Sequence, residues 1–111
     1  MLNTFSLLRR EIGVIICREW LVQDYFLEYV RKGAKLICHP ANSGNKKSLE
    51  TLRQLSKENK VYSITANRTG SEINRNKVQY IGTSQVIDPE GKILAQGSPD
   101  KGEVKSVNIR L

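Results

Sequence analysis

The sequence predicts one mixed α/β domain, and three observations that read strand, helix, strand in order carry the prediction. Residues 12–17 are a short β-branched run of the kind buried on both faces of a sheet. Apolar residues then recur at Val22, Tyr25, Phe26, Tyr29 and Val30, at helical spacings of three and four. A second short apolar run, residues 34–39, follows and is closed by Pro40. At 111 residues the chain has room for one domain, residues 1–111, with a core of its own.

Each element has its own signals. The first helix carries Asp24 early, Arg31-Lys32 late and Gly33 as its stop, which suits both the helix dipole and a left-handed exit. The strand at 34–39 is reached through that helix and is therefore expected to run parallel to the first. Residues 42–45 are turn chemistry, after which Leu49, Leu52 and Leu55 line one face of a second helix ending near Lys60. Residues 61–66 read as a third strand, 67–76 as a polar loop, and 78–87 as extended chain around Gly82. Residues 84–88 and 92–95, joined by Pro89-Glu90-Gly91, form a hairpin, because proline presets φ and glycine takes the left-handed position. Lys105, Val107, Ile109 and Leu111 alternate with polar residues and predict a terminal strand.

Composition narrows the function. Hydrophobic residues at 39% and charged residues at 26% exclude a disordered tail and a collagen-like repeat, and no apolar run is long enough for a membrane helix. The net charge of +7 raises polyanion binding, but the basic residues come singly or in pairs with acids interleaved, so a nucleic-acid role is not expected. Arg9-Arg10-Glu11 interrupts the apolar start of the chain, no signal peptide is evident, and a cytoplasmic location is expected. Cys17, Cys38 and His39 are too few for a disulfide framework or a tetrahedral zinc site from one chain, so neither metal nor cofactor is expected.

Cys17 ends the first strand and a helix follows within a few residues, which places its sulfur at the carboxyl edge of the sheet, where open α/β sheets hold ligands. Backbone N–H groups in such a turn can stabilise a thiolate and hold an oxyanion. The plainer role, a small packing residue, stays open on position alone.

The surrounding residues add to this. Gly13-Val14-Ile15-Ile16-Cys17-Arg18-Glu19, then Arg31-Lys32-Gly33-Ala34-Lys35-Leu36-Ile37 and Pro40, resemble the nucleophile segment of the nitrilase, or carbon-nitrogen hydrolase, superfamily. Lys57-Glu58-Asn59, Ala66-Asn67-Arg68-Thr69-Gly70, Ile81-Gly82-Thr83-Ser84, Asp88-Pro89-Glu90-Gly91-Lys92 and Ile93-Leu94-Ala95 follow in the family's order, so the resemblance covers nearly the whole chain.

It implies a partial αββα sandwich of the α/β (α+β) class: a mixed sheet with two helices, a C-terminal hairpin and a terminal strand. It also implies attack on a small amide or nitrile through a thioester, with Cys17 as nucleophile and the Arg18 amide as oxyanion donor. Candidate substrate contacts are Asn42, in a loop that lines the pocket in relatives, His39, at the carboxyl end of the strand beside Cys17, and Trp20, with turn, edge and core-packing roles as their respective alternatives. Cys38 and the Glu58-Asn59 corner carry structural roles as their first reading.

The family's glutamate base and its lysine precede the cysteine by long stretches, whereas sixteen residues precede Cys17 here, and Glu11 lacks the base's setting. Gln23-Asp24 stands where many members carry Pro-Glu. The expectation is a hydrolase-like chain with little activity alone, which forms a homo-oligomer or joins a missing N-terminal half. The competing expectation is a non-enzymatic interaction module that binds an acidic partner.

Overall fold

A computed structural model describes residues 4–7, 10–74 and 76–111. Its strands are β1 (Phe5–Leu7), β2 (Arg10–Val14), β3 (Leu36–Ala41), β4 (Tyr62–Asn67), β5 (Ser71–Asn74), β6 (Asn76–Gln79), β7 (Gln85–Ile87) and β8 (Ile93–Gln96). A short 3-10 helix, Cys17–Leu21, leads into α1 (Gln23–Arg31), and α2 (Lys46–Asn59) joins β3 to β4.

Among the described residues six strands form one mixed sheet in the order β1-β2-β3-β4-β7-β8, and β5 and β6 form a separate hairpin. β2, β3 and β4 run parallel, as their helical crossovers require, and β1, β7 and β8 are antiparallel to their neighbours. The expected mixed α/β sheet with two helices is therefore present.

Helix ends follow the sequence signals. Gly33 takes φ +90, and the Gly33 and Ala34 amides donate to Val30 and Tyr29, which caps the last carbonyls of α1. The Asn45 side chain accepts from the Lys47 amide at 2.8 Å at the start of α2, and Lys60 leaves that helix in the left-handed conformation.

The core lies between the helices and one sheet face. Phe26 and Tyr29 of α1, and Leu52 and Leu55 of α2, meet Ile15, Ala34, Ile37 and Val61 there. Gly13 of β2 sits so close under α1 that a Cβ would lie 2.4 Å from the Tyr29 ring. Ser56 of α2 donates to Ser63 of β4 at 2.7 Å, and Gln85 of β7 donates to the Leu49 carbonyl, which ties α2 down across two strands. The opposite face is open in part: Ile12 and Leu36 are buried, but Val14, Cys38, Ile64, Val86 and Ala95 are only half-buried.

Four expectations need correction. The first strand stops at Val14; Ile15 turns into the core, Ile16 is 61% exposed, and Cys17 opens the 3-10 helix instead of closing the strand. Pro40 does not end the second strand, because pairing with β2 stops at Cys38 and a proline beyond that point removes no ladder bond on that side.

The polar stretch 67–76 contains β5 and leads into β6. Its hairpin is held by the Arg68–Glu72 ion pair at 2.8 Å and by Arg68 stacked 4.5 Å over Tyr80, contacts that apolar alternation does not signal. The terminal strand is absent: residues 97–111 pair with no strand, and Val104 is 98% exposed. Alternation marks a chain that can lie half-buried on a surface, and it does not by itself make strand pairing.

Candidate active site

Cys17 stands just beyond the carboxyl end of β2, half-buried, with φ +48. A residue with a Cβ occupies the left-handed region at a cost of about 1–2 kcal/mol, so the surroundings must hold the turn. Two contacts do so from within the 3-10 helix. The Ile16 amide donates to the Glu19 carboxylate at 2.5 Å, and the Glu19 amide donates to the Ile16 carbonyl at 3.0 Å. A third contact crosses the sheet: His39 Nε2 lies 2.8 Å from the Cys17 carbonyl oxygen. The Arg18 amide, in the first turn, meets no acceptor among the described residues and is one of the orphan donors that a helix start leaves.

The register sets the direction of His39. Gly13, Ile37 and Ser63 lie side by side on the helix-facing side of the sheet, and two residues on, His39 and Thr65 pair on that same side. Both are 1% exposed. Thr65 Oγ1 is 3.2 Å from His39 Nδ1, so each ring nitrogen has a partner within the chain. Burial holds the imidazole below its ordinary range, opposed by the Cys17 carbonyl and the nearby Glu19 charge. Cys38 points to the open face, and burial there pushes its thiol up.

The structure brings Cys17, Arg18 and His39 together. Trp20 shares the 3-10 helix but packs against the core, and Asn42 is exposed in the loop after β3. Glu11 accepts from Ser6 at 2.6 Å and from Thr4, which lowers its pKa and turns it toward β1. Glu58 accepts from Gln54 and Asn59 donates to the Leu55 carbonyl, at the end of α2 that lies over the amino ends of the strands. No carboxylate or ammonium meets the Cys17 thiol among the described residues.

Sequence reasoning missed the part played by Thr65 and Asn67. Asn67 Oδ1 accepts from the Ser43 amide at 2.7 Å, and Nδ2 donates to the Ser43 and Gly82 carbonyls at 3.1 and 2.9 Å. It therefore pins the loop after β3 to the Gly82 turn. The motif at 66–70 marked the position but not its partners. A cavity of about 480 Å³ lies between the ends of β4, β7 and β8 and residues 101–105, and Cys17 is not among its walls.

Cys17 thus stands on a left-handed turn beyond the carboxyl end of a parallel strand, in a mixed α/β domain. The chain matches the carbon-nitrogen hydrolase family model over residues 3–111 and belongs to that family. It is 33% identical over 109 residues to a nitrilase of Pyrococcus abyssi, across 98% of this chain and 40% of that protein.

Among solved structures it resembles Saccharomyces cerevisiae Nit3, a member of branch 10 of the nitrilase superfamily. That likeness has 22% identity and a TM-score of 0.78 over 92% of this chain and 38% of Nit3. It also resembles the glutamine-dependent NAD+ synthetase of Acinetobacter baumannii at 20% identity and TM-score 0.81, over 93% of this chain and 20% of that one. The chain thus spans about two fifths of the length of the curated relative.

Proposed function

We propose that this chain carries the nucleophile of a carbon-nitrogen hydrolase that acts on small amides or nitriles, with Cys17 as the attacking residue. The observation that carries the reading is Cys17 at φ +48 beyond β2, with the Arg18 amide beside it unengaged among the described residues. In the reaction the Cys17 sulfur bonds to the amide carbon, the Arg18 N–H stabilises the oxyanion, the C–N bond breaks as the thiol proton passes to the departing amine, and water hydrolyses the thioester to the carboxylic acid and the free thiol.

On this reading the base and the cation that such chemistry uses are supplied to Cys17 from outside the described residues, none of which brings a carboxylate or ammonium to the thiol. Until they are supplied, amide turnover is low, because members of a mutually dependent catalytic set lose several orders of magnitude when one is removed. A second sheet layer, from a longer chain or a second copy, covers the half-open face. Two free cysteines suit a reducing, cytoplasmic setting.

Treatment with p-nitrophenyl acetate, followed by peptide mass spectrometry, tests the assignment. Cys17 should gain the acetyl group ahead of Cys38, and Cys17→Ala should abolish that product while amide hydrolysis stays at background. Failure to acetylate Cys17 overturns the nucleophile assignment. Amide turnover by the purified chain that disappears in Cys17→Ala overturns the dormancy.

A further inference from the structure

We propose that His39 is a positioning residue that aims the Arg18 amide at the developing oxyanion by gripping the Cys17 carbonyl; this rests on the reading of Cys17 as nucleophile. A carbonyl oxygen only accepts, so the 2.8 Å contact requires the proton on His39 Nε2. Nδ1 then carries the lone pair and accepts from the Thr65 hydroxyl at 3.2 Å. His39 and Thr65 are each 1% exposed, so the imidazole and the hydroxyl that meets it are shielded from water.

Peptide geometry links that grip to the chemistry. The Cys17 C=O and the Arg18 N–H belong to one planar trans unit and point in opposite directions, so fixing one fixes the other. At φ +48 this unit sits in a conformation that the backbone does not favour, and an external hold is what keeps it there. The hold comes from β3 and β4, which pair along six residues, the longest ladder among the described strands of the sheet. With both nitrogens engaged and the ring buried, His39 has no free polar atom for a substrate; it acts through the backbone of the nucleophile.

The test compares two reactions of Cys17. With p-nitrophenyl acetate, a sulfur–carbon bond forms through an oxyanion, p-nitrophenolate leaves and the thiol proton passes to buffer. With iodoacetamide the sulfur displaces iodide and no oxyanion forms. Loss of aim should slow only the first, so the ratio of acylation to alkylation should fall about tenfold or more in His39→Leu. His39→Gln, whose amide N–H can reach the same carbonyl, should restore most of the ratio.

An unchanged ratio in a folded His39→Leu protein overturns the positioning role. A wild-type Cys17 that is not acylated at all overturns the nucleophile assignment instead. Nitrogen NMR of the wild-type imidazole judges the grip without any variant: the Nε2–H tautomer is expected, and Nδ1–H would overturn it.

Discussion

Burial keeps the His39 imidazole harder to protonate in the folded chain than in the unfolded one, and stability follows from that difference. The unfolded chain is the stronger proton binder, so the stability linked to neutral His39 is fully present above the ordinary value of 6.5 and is lost as pH falls below it. Urea midpoints measured at about pH 7.5 and about pH 5 should drop further in the wild type than in His39→Gln, and equal drops would refute the linkage. Cys17 was legible because the segment around it has a family likeness. The direction of His39 was not, since it depends on which alternate residues of β3 face the helices, and with Leu36, Ile37 and Cys38 all apolar the local pattern does not distinguish the two faces.

Among the elements, β3, α2 and β4 were readable from apolar runs and leucine spacing, and the β7–β8 hairpin from its Pro-Glu-Gly turn. What escaped was polar. The β5–β6 hairpin is exposed on most of its residues, and the knot around Asn67 joins segments fifteen and twenty-four residues apart, a closure that no local window contains. Asn67→Ala removes three side-chain bonds and strands the Ser43 amide and the Gly82 carbonyl, so a loss of about 2–3 kcal/mol is expected. Urea unfolding measures it, and a change under about 0.5 kcal/mol would show that water replaces the amide at no cost. Gly82 belongs to the same knot: at φ +53, a Cβ there would lie 2.7 Å from the carbonyl oxygens of Ser98 and Pro99.

For the whole molecule, one sheet face is packed by two helices and the other is half-bare around Val14, Ile64 and Val86. Apolar surface of that kind favours self-association, so sedimentation at tens of micromolar should show species above the monomer, and Ile64→Lys should reduce them. A sharp monomer boundary across that range would exclude the association. The sheet also has lateral limits: β8 meets only β7 among the described residues, and its run Ile93-Leu94-Ala95-Gln96 contains no charge. A rim of backbone donors and acceptors with no strand partner, and with neither lysine nor proline inside residues 93–96, is a template for extended segments of other molecules. Prolonged storage of concentrated protein therefore favours fibrils seeded from that rim.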